Sequence, residues 1–187
     1  MIRTQDDQAR AGQGRAAPVT LLPVRIRLAR PDDRNELGSF FEGLSVQTRY
    51  LRFFAALEVS PAMLRILAGD GGADVVVATG DGAVVGHGMA TYQVSPEGAS
   101  VMEIGVVVAD AWQGRGVGSA LVRALIAAAR NRGASILTMD VLPGNRKVLG
   151  MIASHWPAAS LVYSADGVVI RVRLQPREGE RGVRDAA

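Results

Sequence analysis

The chain has no cysteine, which excludes disulfides, thiolate zinc sites and cysteine nucleophiles. Its two histidines, His87 and His155, are too few for most histidine-based metal sites. No apolar run approaches a membrane span, and the N-terminal MIRTQDDQARAGQGRAAP lacks the apolar core of a signal peptide. A soluble cytoplasmic protein with no membrane partner is therefore the default expectation. Aromatics are scarce at 5% and no lysine-arginine run occurs. The sequence pI of about 9.9 thus reflects scattered arginines, with a formal net charge of only +3. That pattern is only weak evidence for nucleic acid and suits a phosphorylated cofactor equally well, so no nucleic-acid partner is expected. What remains is globular composition, 48% hydrophobic and 21% charged over 187 residues, enough for one self-sustaining domain.

Residues 1–22 and 175–187 are polar and without periodicity, and read as mobile tails around a domain spanning 23–174. Val24 to Leu28 alternates apolar and basic residues, the period of a half-buried strand. Helical regions follow: Leu37, Phe40, Phe41 and Leu44 recur at helical spacing, a second region covers Val46 to Ala55, and Ser60-Pro61 opens a third to Ala68. Asp74 to Thr79 and Ala83 to Gln93 flank Gly80-Asp81-Gly82, a hairpin signal because type I′ turns need positive φ at both central residues. After Ser95-Pro96-Glu97-Gly98 comes the strand Val101 to Val108. A helix to about Arg132 is expected to bury Val117, Leu121, Leu125 and Ala128 and to stop at Gly133. Ser135 to Val141 completes a strand–helix–strand crossover, which implies one parallel pair. A short helix, Asn145 to Ser154, and a hairpin, Ser160 to Ser164 with Val168 to Leu174, close the domain. The expected class is α/β with an α+β mixed sheet, mostly antiparallel with one parallel βαβ crossover.

Gly114, Gly116 and Gly118 lie between a strand and the first turn of a helix. The first backbone N–H groups of a helix have no internal partner, and the macrodipole adds partial positive charge there. Without Cβ atoms the loop can bring those groups onto phosphate oxygens, and Arg115 adds a cation. A diphosphate is the natural ligand. No P-loop lysine follows the glycines, and Ser119 stands where a dinucleotide fingerprint wants its third glycine. Asp140 could mimic that fingerprint's ribose-binding acid, but hairpins ahead of the loop disfavour a doubly wound sheet.

Gln113-Gly114-Arg115-Gly116-Val117-Gly118, after a valine-rich strand and before an amphipathic helix, resembles the acyl-CoA signature of the GNAT superfamily of N-acetyltransferases. The resemblance extends over Val24 to Leu174 and implies a GNAT-like acyl-CoA N-acyltransferase fold. It implies acetyl-CoA as cofactor, its diphosphate on the backbone amides from Gln113 to Ser119 (Gln113, Gly114, Arg115, Gly116, Val117, Gly118 and Ser119). It further implies that Val106, Val107 and Val108 bond the pantetheine arm like an added strand and supply an oxyanion donor. Asn145, an N-cap on its own merits, often touches the cofactor in this family.

Glu103 is the candidate catalytic residue, a carboxylate in an otherwise apolar strand, costly unless paired or useful. Aminolysis of a thioester needs a neutral amine, and a carboxylate can take its proton. The family places its general base here in many members; the competing reading is a solvated cross-strand ion pair. The expected acid is enclosed. The family's usual tyrosine for the leaving thiolate is absent from NRKVLGMIASHW, and neither His155 nor Tyr163 fits its place, so the general acid stays unassigned. Leu44 to Phe54 (LSVQTRYLRFF) resembles a segment of the GNAT domains of bacterial protein-lysine acetyltransferases. It makes Ser45, Tyr50 and Arg52 candidates for shaping the acceptor end, against helix capping and core packing as the plainer roles. The expected partners are an acyl-CoA and an amine acceptor, a protein lysine or a small molecule, with a homodimer as an open option. A catalytically idle acyl-CoA-binding domain is the second reading.

Overall fold

The computed structural model describes residues 24–55 and 57–174. The expected tails, 1–22 and 175–187, lie outside the described residues, as does Pro23 at the domain's expected start. Strand β1 (Arg25–Leu28) leads through a 3-10 turn (Pro31–Asp33) into α1 (Arg34–Glu42), α2 (Val46–Phe53) and α3 (Pro61–Leu67). Then come β2 (Asp74–Gly80), β3 (Ala83–Val94), β4 (Ser100–Val108), α4 (Val117–Asn131), β5 (Ile136–Val141), α5 (Arg146–His155), β6 (Ser160–Tyr163) and β7 (Val168–Arg173). Local chemistry sets most boundaries. Ser45 caps α2 by accepting from Thr48 N, and Ser60 caps α3 by accepting from Met63 N. Asp81 and Gly82 take positive φ at the β2–β3 turn, as the Asp-Gly signal requires.

The seven strands form one sheet in the order β1-β2-β3-β4-β5-β7-β6. Every pairing is antiparallel except β4–β5. Placing β7 between β5 and β6 lets the final hairpin extend the sheet, leaving β6 at its edge with all four residues exposed.

Both faces are covered. Against one lie α4 and α5, packing Leu121, Leu125 and Ile152 on Met102, Leu137 and Ile170. Against the other lie α1 to α3, where Leu37, Phe40 and Phe41 meet Val77, Val84 and Val107. In α4 the buried positions are Val117, Leu121, Val122, Leu125 and Ala129. Ala129 replaces the expected Ala128 because a 3.6-residue turn carries the stripe on by four positions from Leu125. Arg27 donates two hydrogen bonds to Asp33 (2.6 and 2.7 Å), and Arg30 N–H adds a third at 2.6 Å. Those bonds, the Arg27 guanidinium first, hold the Asp33 carboxyl below the usual carboxylate range and tie β1 to the start of α1.

Candidate active site

β4 and β5 pair only through Val101, Met102 and Glu103 against Ile136, Leu137 and Thr138. β4 runs on to Val108 and β5 to Val141, so the two strands part immediately beyond Glu103. From Ile104 to Val108, β4 therefore has no strand on its β5 side, although β3 pairs it throughout on the other. An open strand edge of this kind offers main-chain donors and acceptors to an extended ligand.

At the far end of that edge lies the glycine junction. Gly114 and Gly116 have φ of 75° and 82°, a region that L side chains rarely adopt, and nothing stands within 4 Å of a Cβ placed on Gly116. The α4 ladder begins with Ala120 N–H on the Gly116 carbonyl at 3.0 Å. The N–H groups of Val117, Gly118 and Ser119 precede that bond and have no intrahelical partner. The junction thus keeps the form an anion-binding loop needs, with its main chain uncovered. Arg115 is exposed and lies over the Trp112 ring, 5.3 Å from its centroid. Lys147, at the start of α5, brings Nζ to 3.9 Å from where a Gly114 Cβ would be, adding a cation to the same loop. The Gln113 side chain braces the loop from behind, donating to the Val108 carbonyl (3.1 Å) and to Thr48 Oγ1 (3.2 Å).

Asp110 organises that brace. It accepts from Ser45 N (3.0 Å), Ser45 Oγ (2.8 Å) and Thr48 Oγ1 (2.7 Å). These bonds, the Ser45 N–H foremost, hold its carboxyl below the usual range although burial opposes them. Through Ser45, Thr48, Asp110 and Gln113, the N-terminus of α2 is joined to the glycine loop. Ser45 Oγ donates to Asp110 and accepts from Thr48 N, so it serves the cap and the brace. Asn145 likewise caps α5, accepting from Val148 N at 3.3 Å.

Glu103 shares its face of β4 with Gly105 and Val107, the face covered by α1 to α3. It is exposed, not enclosed as the apolar strand suggested. The helical layer on this face reaches Val107 and, through Arg52, Gly105, but stops short of Glu103, which stays open to solvent. Arg52 from α2 covers the neighbouring position, its guanidinium lying on Gly105 so closely that a Cβ there would overlap it. Tyr50 is 42% exposed, and of the aromatics beside it only Phe53 reaches the core, against Phe41 at 5.9 Å.

His87, opposite Val107 on β3, is fully buried and donates from Nε2 to the Leu67 carbonyl at 2.8 Å. Burial pushes it down to about 4, so the ring is neutral at pH 7. His155 and Tyr163 are exposed, His155 as the last residue of α5 and Tyr163 on the outermost strand β6. A cavity of about 620 Å³ lined by Glu97, Ser135, Arg171 and Arg173 sits at the paired end of β4 and β5, opposite the splay. Among the described residues no cluster of His, Asp or Glu could hold a metal, and no helix is long and apolar enough to cross a membrane.

Sequence reasoning missed Asp110, Thr48 and Lys147. An acid just past a strand and a hydroxyl in a helix's first turn carry no signal until α2 and the loop meet.

A mixed sheet that splays at its single parallel pair, with a glycine junction facing the gap, defines proteins that hold a long phosphorylated cofactor between strands. The chain belongs to the acetyltransferase (GNAT) family, whose sequence profile matches residues 40–155. It is 30% identical over 159 residues to the acetyltransferase Pat of Mycolicibacterium smegmatis, covering 78% of this chain and 48% of that protein. The chain thus spans about half the length of this curated relative. Among solved structures it resembles the GNAT domain of S. lividans PAT with TM-score 0.72 at 26% identity, over 81% of this chain and 90% of that one. It also shares the fold of yncA from Salmonella typhimurium, solved with its cofactor acetyl-CoA (TM-score 0.61, 18% identity, 82% and 95% covered).

Proposed function

We propose that this protein moves an acetyl group from acetyl-CoA to a primary amine, of a protein lysine or a small molecule, with Glu103 as general base. The observation that carries the reading is the parting of β4 and β5 at Glu103, with the uncovered glycine junction beyond it. The residues present fit the cofactor. Of the amides expected from Gln113 to Ser119, that of Gln113 is engaged by the Asp110 carbonyl at 3.3 Å. Those of Gly114, Arg115, Gly116, Val117, Gly118 and Ser119 would hold the cofactor's diphosphate with Lys147 beside them, and Val106 to Val108 its pantetheine arm. When bound, it supplies an activated acetyl carbonyl on a thiol leaving group.

The chain's own residues do the rest. Glu103 removes a proton from the acceptor ammonium, whose ordinary pKa lies near 10, freeing the lone pair that forms the N–C bond. A main-chain N–H of Val106 to Val108 donates to the carbonyl oxygen as negative charge develops on it. No side chain is assigned to protonate the departing sulfur, since α5 carries no tyrosine.

Thiol release from acetyl-CoA, measured over a panel of lysine peptides and small amines, tests the reading. Glu103→Gln should lower kcat by about 10²- to 10⁴-fold while leaving acetyl-CoA affinity unchanged. Unaltered turnover in that variant would remove Glu103 from the mechanism. The missing tyrosine and the exposure of Glu103 favour one second reading, an idle acyl-CoA-binding domain. It predicts tight acetyl-CoA binding and no turnover with any amine.

A further inference from the structure

The arginines that tie the fold together are paired. Arg27 bonds Asp33, Arg132 bonds Asp74 at 2.6 Å, and Arg34 reaches Asp70 at 3.5 Å. Arg52 differs. It makes no hydrogen bond or ion pair among the described residues, and its Nε is buried without a partner. The guanidinium lies between Phe53, 5.1 Å from the ring centroid, and the backbone of Gly105. Burial lowers its proton affinity, while the Glu103 charge works the other way from beyond ion-pair distance. The other titratable group facing it is His87, which is neutral at pH 7. Arg52 is half-buried, with only its Nε closed off from solvent, so a cation without a partner sits partly desolvated while its terminal nitrogens stay open to an anion.

Its location says which anion. Gly105 and Glu103 are two residues apart on one strand face, roughly 7 Å along the strand. A group bound at Arg52 would therefore lie within one short side chain's length of the proposed base. The planar fork of arginine matches a carboxylate bidentately. A plain alkyl ammonium would leave that fork empty and be repelled by it.

We infer that Arg52 is an anion subsite of the acceptor pocket, selecting amines that carry a carboxylate a few bonds from the nitrogen. The inference rests on the acyl-transfer reading for its context. The carboxylate is either part of a small amino acid or an acidic side chain next to a target lysine in a protein.

Matched acceptors test this on the full chain with acetyl-CoA: 6-aminohexanoate against 6-aminohexanamide, and peptides with Asp-Lys against Asn-Lys. The carboxylate member of at least one pair should have kcat/KM about 10- to 100-fold higher. Whichever pair shows the difference identifies the source. Arg52→Gln should bring the carboxylate member down to its amide partner. Thermal melting and acetyl-CoA affinity report whether that variant folds; if it does not, the matched pairs on the unaltered protein decide. Equal rates within both pairs overturn the subsite. So does an Arg52→Gln variant that slows both members alike and displaces the pH profile, since Arg52 would then serve Glu103. Should no acceptor turn over, titration calorimetry of the same compounds with CoA present separates the two claims. Carboxylate binding that depends on Arg52 keeps the subsite and sinks the catalytic reading, while no binding difference sinks the subsite.

Discussion

Replacing Asp110 by alanine removes the acceptor of three hydrogen bonds, from Ser45 N, Ser45 Oγ and Thr48 Oγ1, all between 2.7 and 3.0 Å. Hydrogen bonds to a charged group contribute about 1.5–3 kcal/mol each when enclosed. Asp110 is exposed and two of its donors belong to one residue, so solvent screening and non-additivity reduce the sum to about 2 kcal/mol. For a chain of this size the melting midpoint should fall by roughly 4–8 °C. Thr48 then loses its anchor, and Gln113, which donates to Thr48, is less firmly placed behind the glycine loop. Weaker preorganisation by about 1 kcal/mol lowers acetyl-CoA affinity about fivefold. The pH dependence adds a check. The Asp110 carboxyl titrates below its ordinary value in the folded protein, so its contribution is complete above the unfolded value near 3.9. That contribution is lost as pH falls through the lower folded value. Urea midpoints of the unaltered protein and Asp110→Ala should therefore differ most at pH 7, and the gap should narrow progressively as pH falls below the unfolded value near 3.9. Equal midpoints at pH 7, or a gap that does not shrink at all as pH falls below about 3.9, would refute the reasoning.

Gly116→Ala places a Cβ on a residue at φ 82°, which costs about 1–2 kcal/mol in backbone strain; calorimetry should show weakened acetyl-CoA binding as the loop shifts to relieve it. His87 titrates at about 4 in the folded protein against 6.5 for an ordinary histidine, so the unfolded chain binds the extra proton between those values. Stability from keeping the ring neutral is complete above pH 6.5 and falls by about 3 kcal/mol as pH drops toward 4. Urea titrations of His87→Gln should show a shallower fall across that window, and an identical slope would remove His87 as the cause.

Much of the secondary structure was legible because it is written in local chemistry. Ser45 and Ser60 cap helices where a serine before a helical pattern should, and Asp81-Gly82 turns where positive φ is needed. The glycine junction was legible for the same reason: adjacent residues set their own dihedrals and free their own N–H groups. One parallel crossover after antiparallel hairpins followed from helix length. Tertiary structure decided everything that joins distant segments. That β7 lies inside β6, that Glu103 marks the end of the β4–β5 pairing and stays exposed, and that Asp110 binds the cap of α2 are such facts. A strand's periodicity tells which residues share a face, as it did for Glu103, Gly105 and Val107, but not what covers that face. Arg52 on Gly105 shows the difference, because the partner comes from a helix fifty residues earlier and no local rule records their meeting.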